Sequence, residues 1–207
     1  MPENLHKLFV ISSPSGGGKT SLINKVFEDS RSANFEKSIS DTSRQKRQGD
    51  LEFKDYYFLS EKDFKDKIKK EEYVEYAIVF GNFYGTSKQE IKTKYNNSNL
   101  ILELDWQGAY AVKELFDDAK LIFLVPPSLD DLKQRLIKRN LDSSQEIENR
   151  LSEAKKEISK SEMYDYLVLN DDFDKAFEDL SQILFEGISP IDFNSRAPKD
   201  LIKRLVE

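Results

Sequence analysis

The stretch SSPSGGGKTS at residues 12–21 constrains the fold of this chain more than any other feature. The apolar run KLFVI precedes it, and SLINKVF, which has the apolar spacing of a helix, follows it. Three consecutive glycines permit positive φ, so that backbone N–H groups converge on an anion at the positive end of the following helix dipole. The order of strand, glycine loop and helix therefore predicts a phosphate-binding loop.

The loop fits the pattern G-x-x-x-x-G-K-[ST] at Gly18, Lys19 and Thr20, whereas Ser13 holds the first glycine position. We expect Lys19 to bridge the outer phosphates of a nucleoside triphosphate and Thr20 to ligate magnesium through its hydroxyl. An ordinary glycine-rich turn is the alternative, and a dinucleotide loop is disfavoured because the spacing G-x-G-x-x-G is absent. The predicted nucleotide-binding residues are Ser13, Pro14, Ser15, Gly16, Gly17, Gly18, Lys19, Thr20 and Ser21.

Composition limits the partners of the chain. The formal net charge of -6 disfavours nucleic acid, because a polyanion binds to a basic face. No apolar run reaches the roughly 20 residues of a transmembrane helix, and the first residues lack the apolar core of a signal peptide. The chain has no cysteine, which excludes disulfides, thiolate metal sites and a cysteine nucleophile. We expect a cytoplasmic protein that binds neither membrane nor nucleic acid.

Five apolar runs of strand length alternate with helical patterns and predict a parallel sheet of βαβ units. These runs are KLFVIS, FEKSIS, NLILELD, KLIFLV and DYLVLN. The segment from about 41 to 95 interrupts this alternation with two further strand patterns, DYYFLS and EYVEYAIVFGNFYGT, and is interpreted as an inserted subdomain. RNLDSSQEIENRL is expected to be an irregular flap, and the tail from about 188 an extended segment that ends in a short helix.

A second group of polar residues lies at the start of the predicted insertion: Ser40, Arg44, Arg47 and Tyr56. Two guanidinium groups together with a tyrosine hydroxyl suit a phosphate monoester, because arginine binds phosphate through two parallel hydrogen bonds. Isolated surface arginines are the alternative interpretation of the same residues. The first interpretation predicts a site for a phosphate monoester that accepts the phosphoryl group held by the loop.

Six ordered blocks give the chain a wider resemblance, which covers it from about Lys7 to Phe185. They are SPSGGGKTSL, SISDTSRQKRQGD with KDYYF, YVEYAIVFGNFYGT, LELDWQGA, FLVPPSLDDLKQRL and NDDFDKA. Together they resemble guanylate kinase of bacterial type. The resemblance implies transfer of a phosphoryl group from ATP, with Mg²⁺, to GMP. It also implies an α/β fold with a P-loop NTPase core, a five-stranded parallel sheet flanked by helices, a small mixed α/β GMP-binding insertion and a helical lid.

The resemblance assigns the GMP phosphate to Arg44, Arg47, Tyr56 and Tyr84, and guanine to Ser40, Glu75 and Thr86. A carboxylate at Glu75 accepts from guanine N1–H and the 2-amino group together, and adenine offers a donor at neither place. A site built on such hydrogen bonds rejects the wrong base by roughly 10⁴-fold. A solvent-exposed acid on a strand is the alternative for Glu75.

Further site residues follow from the remaining blocks. Glu103 and Asp105 end an apolar strand and are expected near GMP or the metal, Asp105 through water, with an ion pair to lysine as the alternative. The resemblance places Arg135, Arg139 and Arg150 in the lid as catalytic residues, although a solvated basic helix has the same pattern. It also makes Lys19 and Arg44 catalytic. Asn170 and Asp171 match the segment near the adenine of ATP.

The expected organisation is a single domain over 1–207, with its core at about 5–40, 96–138 and 164–187, the insertion at about 41–95, the lid at about 139–163 and the tail at 188–207. The chain departs from the family pattern at Ser13, at Asp50, where glutamate is frequent, and at Phe53, where glycine is usual. The partners expected are ATP and GMP, for a monomer or a homodimer. The alternatives are a non-catalytic scaffold that binds phosphorylated peptides, a kinase for another phosphate monoester, and a regulatory GTPase, whose NKxD motif is absent.

Overall fold

The computed structural model describes residues 6–47, 49–79, 81–139, 143–187 and 199–207, except for the side chains at 139, 199 and 200. Its strands are β1 (Leu8–Ser12), β2 (Phe35–Lys37), β3 (Ser40–Thr42), β4 (Tyr56–Phe58), β5 (Tyr73–Val79), β6 (Asn82–Ser87), β7 (Asn99–Glu103), β8 (Lys120–Val125) and β9 (Tyr166–Leu169). Its α-helices are α1 (Lys19–Glu28), α2 (Glu61–Lys69), α3 (Lys88–Tyr95), α4 (Trp106–Leu115), α5 (Leu129–Arg139), α6 (Ser144–Ser159), α7 (Phe173–Ser181) and α8 (Lys199–Val206).

Two sheets organise these elements. The larger sheet has the strand order β2-β7-β1-β8-β9, and the smaller has the order β4-β3-β6-β5. In the larger sheet β2 runs parallel to β7 and β8 parallel to β9. In the smaller sheet β3 is parallel to β4 but antiparallel to β6, so this sheet is mixed. The expected α/β class, with a five-stranded parallel sheet and a second small sheet, is confirmed.

The strands of the larger sheet form the core. Every residue of β1 is buried, and so are the central residues of β7 and β8. Such continuous apolar runs are typical of parallel strands, which helices cover on both faces. Among the described residues, no helix is long and apolar enough to cross a membrane.

The chain divides into two compact units. The first unit comprises residues 1–9 and 34–119, and the second comprises 10–33 and 120–207. The first contains the smaller sheet with α2, α3 and α4, and the second contains the glycine loop with α1, α5, α6, α7 and α8. The finer division into core, insertion, lid and tail stays a prediction.

Two expectations about local structure were wrong. FEKSIS is not one strand, because β2 ends at Lys37 and Ser40 begins β3 in the other sheet. Residues 144–151 are helical and not irregular, because Ser143 and Glu146 form a capping box that starts α6. Residues 140–142 of the predicted flap and 188–198 of the predicted tail lie outside the described residues, whereas the short terminal helix is confirmed as α8.

Candidate active site

The glycine loop of the second unit has the backbone of an anion site. Gly16 and Gly18 have φ values of 86° and 88°, a region that favours glycine. Helix α1 begins at Lys19, and its N-cap, Gly18, makes no side-chain cap hydrogen bond, so the positive end of the helix dipole meets the loop without a capping side chain. Lys19 and Thr20 therefore stand at the helix terminus, as the sequence predicts.

Gly17 is required for a different reason. A Cβ at this position would lie 2.8 Å from the Ser13 Cβ and 2.9 Å from the Pro14 carbonyl oxygen, closer than carbon atoms tolerate. The Gly17 N–H donates to that same carbonyl over 2.8 Å and closes the turn. Ser13, the departure from the first glycine of the motif, is buried against Gly17, and its hydroxyl also donates to the Pro14 carbonyl.

Asn170 holds the loop from the end of β9. Its side-chain amide, which is buried, donates to the Gly17 carbonyl over 2.7 Å. Its own backbone carbonyl accepts from the guanidinium of Arg135 over 2.9 Å. A Cβ on Gly18 would lie 2.5 Å from the Asn170 Nδ2, so the third glycine makes room for this contact. Asn170 is thus part of the loop scaffold, and Asp171 beside it is exposed.

A cleft of about 390 Å³ opens beside the loop within the second unit. Arg150 of α6 approaches the same loop, because its guanidinium donates to the Ser15 hydroxyl over 2.7 Å. The structure thus brings Arg135 and Arg150 to the glycine loop, and the side chain of Arg139 lies outside the description. The sequence analysis did not predict Lys138 or Phe173 as cleft residues. They could have been found only because they lie close in sequence to Arg135 and Asp171. The cleft is lined by Gly16, Gly18, Ser21, Arg135, Lys138, Asn170, Asp171 and Phe173.

The predicted acceptor arginines differ in their surroundings. Arg44 is buried, and its guanidinium donates to the Asp50 carboxylate over 2.8 Å and lies 5.3 Å from the centre of the Tyr56 ring. Arg47 is exposed, and its backbone N–H donates to the same Asp50 oxygen over 2.7 Å. Burial opposes ionisation of Asp50, but these two hydrogen bonds outweigh it and hold the pKa of the carboxyl below its ordinary value. Asp50, noted from the sequence as a departure, is thus the partner of Arg44.

Tyr56 and Tyr84 complete this part of the first unit. Their ring centres are 5.8 Å apart in an edge-to-face arrangement. Burial and the nearby Glu103 carboxylate raise the pKa of Tyr56, so its hydroxyl remains a donor at neutral pH. The structure brings together Arg44, Tyr56 and Tyr84, and it places the Arg47 backbone beside them.

Phe53, noted from the sequence as a departure, adopts a left-handed backbone with φ of 63°. The Phe53 N–H donates to the Tyr56 carbonyl over 3.2 Å, which closes the turn before β4. Glycine adopts this left-handed conformation more readily than phenylalanine, since a side chain disfavours it. Phe53 keeps the turn but leaves its ring 70% exposed, 5.8 Å from the centre of the Tyr57 ring.

Glu75 is a buried carboxyl in the smaller sheet, with 6% of its surface exposed. It lies opposite Thr86 on β6, and the Thr86 hydroxyl is 3.3 Å from that of Ser40. Burial raises the pKa of Glu75 to about 7 and the nearby Asp105 carboxylate adds to the rise, although hydrogen bonds from Thr86 oppose it. Its Oε1 atom is buried and has no hydrogen-bond partner among the described residues. The alternative of an exposed strand acid is excluded.

The amino end of α4 lies against Glu75, which sequence reasoning missed. A Cβ on Gly108 would lie 3.0 Å from the Glu75 Oε2. Asp105 caps this helix by accepting from the Gly108 N–H over 3.0 Å. Glu103 instead forms an ion pair with Lys37 over 2.6 Å, the alternative left open by the sequence. No cluster of three or more His, Asp or Glu side chains in the described part of the chain is arranged to hold a metal.

Comparisons with known proteins place the chain in one family. The family model described as guanylate kinase matches residues 5–187. A guanylate kinase of Wolbachia sp. subsp. Brugia malayi (strain TRS) is 45% identical over 184 residues, which cover 88% of this chain and 93% of that protein. One from Hahella chejuensis (strain KCTC 2396) is 46% identical over 178 residues, which cover 86% and 85%.

A solved structure resembles the chain over a similar extent. The crystal structure of guanylate kinase from Anaplasma phagocytophilum has a TM-score of 0.72 and 33% sequence identity. The match covers 89% of this chain and 87% of that one. Family model, sequence relatives and fold agree, and the glycine loop and the buried carboxyl both lie inside the matched region. This chain belongs to the guanylate kinase family.

Proposed function

We propose that this chain transfers the γ-phosphoryl group of ATP to GMP and forms ADP and GDP, as part of purine nucleotide metabolism. The observation that carries the proposal is the buried Glu75 beside Thr86 and Ser40, with one acceptor oxygen that has no partner among the described residues. Membership of the guanylate kinase family supports it. The cytoplasmic location stays a prediction from the sequence.

Guanine recognition follows from the chemistry of Glu75. An ionised carboxylate accepts from N1–H and from the 2-amino group of guanine, and the hydroxyls of Ser40 and Thr86 supply further hydrogen bonds on the same face of the sheet. Adenine has no donor at either position, so it would leave the buried carboxylate without partners. A penalty of this kind accounts for strong discrimination between the two bases.

The acceptor needs positioning more than activation. A phosphate monoester is already anionic near neutral pH, so the reaction needs no strong general base, and the chain has only His6 as a histidine. In our proposal Arg44 and Arg47 hold the acceptor phosphate, with hydroxyl donors from Tyr56 and Tyr84. The hydrogen bond between Arg44 and Asp50 fixes the guanidinium plane before the ligand arrives.

The donor nucleotide belongs to the second unit in this proposal. Backbone N–H groups of the glycine loop and the Lys19 ammonium hold the outer phosphates, and Asn170 and Asp171 lie near the adenine. Arg135 and Arg150, with Arg139 as a further candidate, neutralise charge that develops on the transferred group. Thr20 is an exposed residue at the start of α1, and its hydroxyl fits Mg²⁺, a hard ion that prefers oxygen ligands. Asp105 is a candidate for contact through water. When bound, Mg²⁺ neutralises phosphate charge.

The test is a coupled assay of ADP formation with ATP and Mg²⁺ against GMP, AMP, CMP and UMP. We expect turnover with GMP alone, and a loss of at least 100-fold in kcat/KM for Lys19→Ala. Lys25→Ala is the matched control, because Lys25 lies at the other end of the same helix and pairs with the exposed Glu28. Turnover with another monophosphate would contradict the assignment of Glu75. GMP binding without turnover would favour a scaffold.

A further inference from the structure

The face of the smaller sheet opposite Glu75 carries a buried polar cluster that we call the Asp41 cluster: Asp41 of β3, Lys67 of α2 and Tyr73 of β5. The Tyr73 hydroxyl donates to the Asp41 Oδ2 atom over 2.7 Å, and the Lys67 ammonium donates to the same oxygen. Asp41 and Tyr73 are 4% and 7% exposed. One carboxylate thus ties together two strands and a helix, all within the first unit.

A register shift in β5 places Tyr73 and Glu75 on opposite faces. Two residues apart on a regular strand, they would share a face. Tyr73, however, pairs with Ser87 of β6, and Glu75 pairs with the adjacent Thr86. Directly paired residues share a face of the sheet, whereas Ser87 and Thr86, as neighbours along β6, lie on opposite faces. The register shift is therefore a β-bulge, whose extra residue in β5 places Glu75 on the face opposite Tyr73.

The surroundings of Tyr73 agree with this register. Its ring stacks on Phe64 of α2, with ring centres 4.5 Å apart, and the Lys67 ammonium lies 5.2 Å from the centre of the same ring. A Cβ on Gly85 would lie 3.0 Å from both the Tyr73 and Phe64 rings, so Gly85 marks the same face. Glu75 instead faces Thr86 and Ser40.

The chemistry of the cluster favours one register of β5. Slippage that removed the bulge would turn Tyr73 toward the guanine side and leave the buried Asp41 carboxylate without its hydroxyl donor. Removing one of its two donors from a buried carboxylate is costly, so the hydrogen bond from Tyr73 acts against such slippage. Because Asp41 directly follows Ser40, the same carboxylate also holds β3 in place behind that hydroxyl.

We propose that the Asp41 cluster is a positioning device for base selection: by holding the β5 bulge, it presents Glu75 and Ser40 to guanine. Asp41, Lys67 and Tyr73 contact no nucleotide in this account and act through the residues on the other face. The inference rests on the proposed function, because it takes Glu75 as the residue that reads the base.

Tyr73→Phe tests the inference with the loss of one oxygen atom. We expect the KM for GMP to rise about fivefold and the KM for ATP to stay unchanged. The reason is that the lost hydrogen bond, from Tyr73 to Asp41, supports the strands that carry Glu75 and Ser40 and lies in the first unit. IMP lacks the 2-amino group, so the preference for GMP over IMP should fall by a similar factor. Tyr95→Phe is the matched control, since the Tyr95 hydroxyl also donates to a carboxylate, Asp118, but from α3. It should leave all three values unchanged.

A second pair of variants separates the helix from the strand. Lys67→Met keeps the aliphatic stem and removes the charge, and Lys69→Met changes an exposed lysine of the same helix that pairs with Asp66. We expect the Lys67 variant to repeat the rise in the KM for GMP and the Lys69 variant to resemble wild type. If Tyr73→Phe and Lys67→Met both leave the KM for GMP and the preference over IMP unchanged, the inference is wrong.

Hydrogen exchange without nucleotide keeps this test independent of the proposed function. In the free protein, Tyr73→Phe should accelerate amide exchange across β5 and β6 at least fivefold, and Tyr95→Phe should not. Unchanged exchange there would overturn the role of the cluster even if the enzyme uses GMP. Failure of wild-type protein to phosphorylate GMP, with the exchange result intact, would overturn the proposed function and leave the cluster as the support of the Glu75 face.

Discussion

At the scale of single residues, Glu75 connects burial to ligand affinity. In our proposal, its pKa of about 7 in the free protein means that a proton must leave before the carboxylate accepts two hydrogen bonds from guanine. We expect the apparent affinity for GMP to fall as pH drops below about 7, approaching tenfold for each pH unit. Titration calorimetry between pH 5.5 and 8.5 measures this dependence.

The control for this experiment is Glu75→Gln, which retains the titration of the GMP phosphate and removes that of the side chain. Its weaker GMP binding should show a shallower pH dependence than wild type.

The raised pKa of Glu75 also affects stability. In the folded protein this pKa lies above the ordinary 4.5, so the folded protein binds one more proton than the unfolded chain between pH 4.5 and 7. The unfolding free energy of wild type should therefore fall by about 3 kcal/mol as pH rises through that range, relative to the variant. Parallel profiles would contradict the assigned pKa.

Gly17 offers a second prediction at this scale. Gly17→Ala should weaken ATP binding by at least tenfold, because its Cβ would meet both the Ser13 side chain and the Pro14 carbonyl. Ser13→Gly removes the first of these contacts, so the double variant should bind ATP more tightly than Gly17→Ala alone. Fluorescence titration with a labelled ATP analogue makes the comparison. Equal affinities for the single and double variants would show that contact with the Ser13 side chain is not the reason why position 17 requires glycine.

At the scale of elements, α6 depends on its cap. The Ser143 backbone N–H donates to the Glu146 carboxylate over 2.7 Å, and the Ser143 hydroxyl accepts from the Glu146 N–H. Ser143→Ala should lower the unfolding free energy by about 1 kcal/mol and accelerate amide exchange in the first turn of the helix. Urea denaturation measures the first effect.

The control for the cap is Ser152→Ala, an exposed position inside the same helix. Alanine is the better helix former there, so this variant should be neutral or slightly stabilising. Because α6 carries Arg150, which donates to Ser15 of the glycine loop, the cap variant should also raise the KM for ATP. Equal stabilities of the two alanine variants would contradict the role assigned to the cap.

Elements formed by interactions between neighbours in sequence could be predicted, whereas features that depend on distant residues could not. The glycine loop and the parallel strands could be predicted from apolar runs and a local motif, since both depend on neighbours in sequence. The capping pair Ser143 and Glu146 was also visible in the sequence, and the irregular interpretation of that stretch overlooked it. The opposite faces of Tyr73 and Glu75 could not be predicted, because YVEYA alternates regularly and only pairing with β6 reveals the bulge.

Partners brought together by the fold were equally invisible in sequence. Nothing near Asn170 indicates that its side chain reaches Gly17, 153 positions away. Asp50 was recognised as a departure, yet its bond to Arg44 requires the turn that brings position 50 back to position 44. Side-chain partners of this kind are set by tertiary packing, which apolar periodicity does not encode.

At the scale of the whole molecule, the two units should respond to different ligands. Adding ATP with Mg²⁺ should slow amide exchange mainly in 10–33 and in α5 and α6, and adding GMP should slow it mainly in β3 to β6. The reason is that our proposal assigns one nucleotide to each unit. Hydrogen exchange read by mass spectrometry resolves the two patterns.

Lys19→Ala is the control for this comparison. It should abolish the protection by ATP and preserve that by GMP, because Lys19 belongs to the glycine loop. If GMP alone slowed amide exchange in 10–33 and left β3 to β6 unaffected, the proposed assignment of GMP to the first unit would be wrong.

The bond between Arg44 and Asp50 has a consequence for ionic strength. The buried guanidinium already pairs with a carboxylate in the free protein, so an incoming phosphate meets an arginine whose charge is partly neutralised. Salt screens the approach of an anion to such a pair less than it screens the approach to an uncompensated charge. GMP affinity should therefore depend only weakly on salt concentration, and the enzyme would keep its acceptor across the range of ionic conditions that a cell experiences.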